Sequence, residues 1–255
     1  MSALAIAAIV LVCVFGGALV GMGLRRHLPE HHLKEESKDT VKLAIGVIAT
    51  MSALVLGLMV SSAKGSFDRM ADELTQAAAT VVQLDRTLVE YGPEAIEIRR
   101  KLRSNYQTAV DMLVAEDKSQ IAKLRASNTS NRIEDVAAGI RALAPRSDDQ
   151  REARARALSL VAEVSANRWL LTLQQHDSIS TPLLVVVVSW LALIFVGFGM
   201  FSPPRNATVV VALLLCALSV AGAIFLIIEM DDPLTGIVRI SDAPMRKALA
   251  ILNGN

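Results

Sequence analysis

The stretch VKLAIGVIATMSALVLGLMVSSA, residues 41–63, has a single charge, Lys42, at its edge, and runs without a proline into KGSFDRMADELTQAAATVVQLDRTLVEY, residues 64–91. As helix the first half rises roughly 34 Å, enough to cross the hydrocarbon core of a bilayer. The second half repeats apolar residues at alternating steps of three and four: Phe67, Met70, Leu74, Ala77, Val81, Leu84, Leu88 and Tyr91. That is a heptad seam. One helix is therefore predicted from Val41 to Tyr91, about 75 Å long. Gly65 can bend it at the junction, and Gly92-Pro93 stops it. The seam has two readings: packing against later helices of the same chain, or a coiled-coil stalk for self-association.

Outward from this stretch lie three more blocks of membrane-spanning length, Ala3 to Leu24, Pro182 to Phe201 and Ala207 to Ile228, each without Asp, Glu, Lys, Arg or His. No water reaches the bilayer core, so a span must satisfy its own backbone, and helix is the state that does so. The 255 residues are 53% hydrophobic and 20% charged, and the apolar excess falls in these four blocks, which excludes a soluble or disordered protein. The fold class predicted is all-α: an integral membrane protein with four transmembrane helices and a helical extramembrane domain inserted between spans 2 and 3. Residues 1–63 hold the first two spans and a polar loop at 25–40, residues 64–181 the extramembrane domain, residues 182–230 the last two spans, and residues 231–255 a tail. Residues 1–24 read as a retained span rather than a signal peptide, because no Lys or Arg precedes Arg25.

The domain at 64–181 has 17 Lys/Arg and 17 Asp/Glu, a neutral mixture. A helix is predicted from about Glu94 to Arg125, with Ile98, Leu102, Tyr106, Ala109 and Leu113 on one face. Asn128-Thr129-Ser130-Asn131 reads as a loop and matches a glycosylation sequon. A short helix carries Ile133, Val136, Ile140 and Leu143 and ends before Pro145. Ser147 and Gln150 form a capping box for a helix reaching about His176. In the tail, Ser241-Asp242 caps a short amphipathic helix with Pro244 in its first turn. Four spans put both termini and the 64–181 domain on one side of the membrane. Lys and Arg near the spans balance, leaving that side open.

Net charge is +1, and basic runs lack interleaved aromatics, so nucleic acid is excluded as a partner. No HExxH, GxSxG, Walker or dinucleotide motif occurs, so no enzyme activity and no cofactor is expected. Ser61 and Lys64 match SxxK, which a snorkelling lysine explains. His27, His31 and His32 cluster with Glu30, but Pro29 breaks the helix that would align them for zinc, and a solvated loop is the expectation. Cys13 and Cys216 lie within spans and read as small packing residues.

Three constellations stand out. Glu229, Asp231 and Asp232 close the fourth span, where acids oppose the helix dipole. In a symmetric oligomer they would form an anionic ring at a pore mouth, attracting cations or Ca²⁺. The competing reading is a membrane exit shaped by Pro233 and Gly236. Gly17 and Gly21 form a GxxxG in the first span, and Gly46, Thr50, Ala53 and Gly57 line one face of the second, for close packing or for lining a pore. Trp190 lies mid-span, away from an interfacial position.

Several stretches together resemble one family. Arg25-Arg26-His27-Leu28-Pro29 follows the first span, and Leu84-Asp85-Arg86 and Tyr91-Gly92 follow the second. Pro204-Arg205-Asn206 occupies the tight turn between the third and fourth spans. Glu229 through Gly236, including Pro233, then Val238-Arg239-Ile240-Ser241, follow the fourth, with Leu234 where the family pattern has Phe. The chain resembles the bestrophin-like family of four-span bacterial membrane proteins. That resemblance implies likeness to bestrophins, oligomeric anion channels with a large cytosolic helical portion between spans 2 and 3 and a pore lined by span 2. Aromatic constrictions line bestrophin pores, whereas the second span here has no Phe, Tyr or Trp. The expected function is a homo-oligomeric ion channel or pore in the cell (inner) membrane. The alternative is a non-conducting sensor or scaffold whose 64–181 domain binds a protein partner.

Overall fold

The structure, a computed structural model, describes residues 2–25, 35–114, 129–173, 181–203, 206–231 and 236–254. Among these there is no strand. The helices are α1 (Ala3–Arg25), α2 (Glu35–Tyr91), α3 (Ile96–Val114), α4 (Thr129–Ala142), α5 (Asp148–Leu173), α6 (Thr181–Phe201), α7 (Ala207–Asp231) and α8 (Ala243–Asn253). A 3₁₀ turn, Pro93–Ala95, separates α2 from α3. Four helices, α1, α2, α6 and α7, are long and apolar enough to cross a membrane.

α2 is a single helix of 57 residues, about 85 Å long. Nothing between Val41 and Tyr91 removes a backbone donor, and Gly65 is accommodated within the helix. It begins at Glu35, which shortens the loop expected at 25–40. α4 begins at Thr129, so residues 129–131, expected as loop, are helical, while Asn128 of the sequon lies outside the described residues.

The chain forms two compact units, each built from two separated stretches of sequence. The first comprises Met1–Phe67 and Asp177–Asp232. In it α1 packs against α6 and α7. The core is one stripe from each helix: Val10, Val14 and Ala18 of α1, Val187, Leu191, Ile194 and Phe195 of α6, and Leu213, Ala217, Ala221, Ile224 and Ile227 of α7, joined by Met59 and Ala63 of α2. The opposite faces are apolar and open, with Val12 71% and Leu58 70% exposed. Each such side chain costs about 1.5–3 kcal/mol in water and nothing comparable in hydrocarbon, so this unit requires lipid around it. Cys13 and Cys216, expected as packing residues, lie on these open faces. Each comes one residue before a buried stripe residue, Val14 or Ala217, and one residue turns the side chain by about 100°.

The second unit comprises Asp68–His176 and Pro233–Asn255. Its core draws Leu84, Leu88 and Tyr91 from α2, Ile98, Leu102, Tyr106 and Val110 from α3, Val136 and Ile140 from α4, and Ala157, Leu160 and Val161 from α5. Met245, Ala248 and Leu252 of α8 complete it. The tail helix is thus part of this core rather than a separate appendage. The heptad seam from Val81 to Tyr91 is packed inside the chain's own unit. Ala78 is buried there in place of Ala77, because a straight helix of 3.6 residues per turn drifts against a seven-residue repeat.

Candidate functional site

In the membrane unit the glycines of α1 set the geometry. A Cβ at Gly17 would lie 2.8 Å from the Ala192 carbonyl oxygen of α6, and one at Gly21 would strike the Val196 carbonyl. From the other side, a Cβ at Gly199 would strike the Ala18 carbonyl oxygen. The two backbones meet because these side chains are hydrogen atoms, as small-residue faces of membrane helices allow. At Gly197 the same space is taken by the Ile45 side chain of α2.

The second small face behaves differently. Gly46, Thr50, Ala53 and Gly57 of α2 are all exposed, and a Cβ at Gly46 or Gly57 would meet nothing within 4 Å. The Thr50 hydroxyl donates to the Gly46 carbonyl at 2.9 Å, so it presents no free donor along this face. Helix α2 turns its other side inward, through Ile45, Ile48, Ser52, Leu56 and Met59. Ser61 and Lys64 are both exposed, and the Lys64 ammonium lies over the Phe67 ring, 5.7 Å from its centroid.

The acids at the end of α7 do not share one environment. Glu229 is buried, 8% exposed, although two residues place it about 200° around α7 from Ile227 and off the Ile224–Ile227 stripe, whereas Asp231 is half-buried. Asp232 and Pro233 lie outside the described residues, as do His27, Glu30, His31 and His32. Among the described residues no group of three or more His, Cys, Asp or Glu could hold a metal ion. Gly236 accepts a hydrogen bond on its carbonyl from Arg239 Nε at 2.8 Å, closing the turn before α8.

The extramembrane unit holds a buried charge cluster around Asp85. The phase that buries Leu84 and Leu88 also carries Asp85 inward, and it is 1% exposed. Arg99 Nε donates to Oδ1 and Arg99 Nη2 to Oδ2, both at 2.9 Å. Arg103, one turn further along α3, places Nη2 3.6 Å from Oδ2. The next residue, Arg86, is exposed.

The end of α2 is closed just as specifically. Gly92 has φ +119° and ψ −169°, a region essentially confined to glycine, and this lets the chain leave α2 and enter Pro93–Ala95. The Tyr91 carbonyl, orphaned by the helix end, accepts a hydrogen bond from Gln150 Nε2 at 2.9 Å. Gln150 Oε1 in turn accepts from the Arg146 amide at 2.7 Å, and Ser147 Oγ accepts from the Gln150 amide at 3.2 Å. The expected capping box therefore forms in half, and its glutamine also ties α5 to the end of α2. At the tail, Ser241 Oγ accepts from the Ala243 amide at 3.3 Å. Asp242, expected to cap the helix, makes no side-chain cap bond and receives Arg246 Nε at 2.7 Å instead. The Tyr106 hydroxyl donates to the Met245 carbonyl at 3.3 Å, and burial pushes its pKa up to about 12.

Arg99, Arg103, the Gln150–Tyr91 bond and the Tyr106–Met245 bond could not be singled out from the sequence. The available signal was Asp85 itself, a carboxylate in the phase of the apolar seam, which requires a buried partner.

Four helices long and apolar enough to cross a membrane, with a helical unit inserted between the second and third, define an integral membrane protein of the four-span class. The chain belongs to the bestrophin-like family: the model of the Bestrophin-like domain matches residues 12–245. No curated protein and no solved structure matches it.

Proposed function

We propose that the chain assembles into a homo-oligomer forming a channel-like pore, with the small-residue face of α2 turned toward neighbouring subunits or the pore axis. The observation that carries this reading is that open face. Gly46, Thr50, Ala53 and Gly57 are left uncovered by their own subunit, while the GxxxG of α1 is used up against α6. Membership of the bestrophin-like family supports it. Asp231 and Asp232 are the acids proposed for a pore mouth, Glu229 being buried within its own subunit. The expected site is the cell (inner) membrane, with both termini and the extramembrane unit on one side and no enzymatic activity.

The deciding experiment is the mass of the intact complex in nanodiscs. A closed ring of four or more subunits supports the pore and leads to conductance recordings on Asp231→Asn and Asp232→Asn. A monomer or dimer leaves no room for a central pathway and overturns it. The second reading, a non-conducting scaffold, is favoured by the exposed pair Val89 and Ile96 on the extramembrane unit, 43% and 49% accessible. It predicts a protein partner lost in Val89→Asp and Ile96→Asp.

A further inference from the structure

The sign of the charge reverses where the chain leaves the fourth span. Asp231 and Asp232 close that span, but residues 237–254 carry Arg239, Arg246 and Lys247 against Asp242, an excess of two positive charges. The core takes Met245, Ala248 and Leu252 of α8, so the helix turns Arg246, Lys247 and Ile251 outward, on a face without an acid. Between the span and α8 stands Ile237. It is 72% exposed, whereas no other large apolar residue described in the extramembrane unit exceeds 49%. Its exposure matches that of Val12 on the open face of α1. The bond from Arg239 Nε to the Gly236 carbonyl closes the turn that carries it. A lone exposed isoleucine is ordinary, but the place of this one is fixed by the chain. At 25 residues, or about 37 Å, α7 is longer than the hydrocarbon core, so it ends among the headgroups. Ile237 follows that end by six residues, at most about 20 Å of extended chain.

We propose that residues 236–254 form a membrane-surface anchor for anionic phospholipid. Ile237 enters the boundary between headgroups and acyl chains, and Arg239 and Lys247 draw the tail to the lipid phosphates. Apolar insertion combined with basic charge is how interfacial segments hold to anionic membranes. An excess of two positive charges favours the surface-bound tail by about thirtyfold. Met245, Ala248 and Leu252 are built into the extramembrane core, so the anchored tail ties that core to the surface from which α7 emerges. The anchor requires the fourth span and stands whether or not the chain forms a pore.

The test is spin-label accessibility on the full chain in nanodiscs, with Cys13→Ala and Cys216→Ala removing the native thiols. A nitroxide on Ile237→Cys replaces the apolar bulk of isoleucine. Labels on Val12→Cys and Val89→Cys serve as the lipid and water references. In phosphatidylcholine containing phosphatidylglycerol, the label at 237 should collide with oxygen in preference to a water-soluble nickel chelate, as at 12 and unlike 89. Lys247→Glu changes the charge by two without touching the Gly236 turn, and should shift the ratio of immersed to free label toward water by about thirtyfold. Phosphatidylcholine alone should shift it the same way. Circular dichroism checks that Lys247→Glu retains its helix, and should it not fold, the two lipid compositions decide with Lys247 in place. Nickel access at 237 equal to that at 89 overturns the proposal. So does the same immersion with and without phosphatidylglycerol, or a label shielded from both oxygen and nickel, which would show Ile237 covered by protein instead of lipid.

Discussion

At the scale of single residues, the extramembrane unit depends on a few polar groups placed where apolar ones would be expected. Asp85 is the clearest. A buried ion pair adds little net stability over an apolar substitute, yet removing one member strands the other, at about 3–5 kcal/mol. Asp85→Asn leaves Arg99 and Arg103 facing each other without the carboxylate. It should lower the denaturant midpoint of the extramembrane unit by a corresponding margin, measured by circular dichroism on the full chain in detergent. Tyr106 gives a pH signature. Its folded pKa, about 12, lies above the ordinary value of 10.0, so the neutral hydroxyl is the form the fold favours. The contribution is intact below pH 10 and is lost as pH rises through 12. Over that window, stability measured in urea should fall by up to about 2–3 kcal/mol in the wild type, and Tyr106→Phe should abolish this alkaline step. Asp85 was legible as an anomaly, because its place in the seam is fixed by helical phase. Its partners were not, since Arg99 lies 14 positions away across a helix turn and one of several arginines on α3 had to be chosen by three-dimensional packing.

At the scale of elements, glycine separates into positions that are used and positions that are spare. Gly21 and Gly199 let α1 and α6 touch backbone to backbone. Gly21→Ala and Gly199→Ala should each cost about 1–3 kcal/mol through overpacking and lower the melting temperature in detergent. Gly16→Ala, where nothing lies within 4 Å, should be neutral or slightly stabilising. The four spans were readable from composition because charge-free runs of this length have few other uses. Which small face would be covered was not, because GxxxG and the Gly46–Gly57 stripe look alike until partners are known. The length of α2 was legible from its unbroken pattern, and its stop from Gly92-Pro93. The fate of Glu229 was not, as its burial depends on the rotation of α7 against its neighbours.

At the scale of the whole molecule, the open face of α2 separates subunit stability from assembly. Gly57→Leu meets nothing within its own chain, so the thermal stability of an isolated subunit should be unchanged. If that face meets other copies or a permeation path, the same substitution should shift the oligomer mass or reduce current in bilayer recordings. Wild-type mass and wild-type current from Gly57→Leu would place this face in lipid.

The two units are interleaved along the chain, each closed by a stretch that comes after part of the other. The ribosome therefore delivers the glycine face of α1 long before α6 exists to meet it. At typical synthesis rates the delay is on the order of ten seconds. The extramembrane unit waits longer still, for Met245, Ala248 and Leu252 arrive after every membrane helix has been made. Neither unit can close until its later stretch has been made, Asp177–Asp232 for the first and Pro233–Asn255 for the second. A premature stop after α7 would damage the unit whose other residues had all been made.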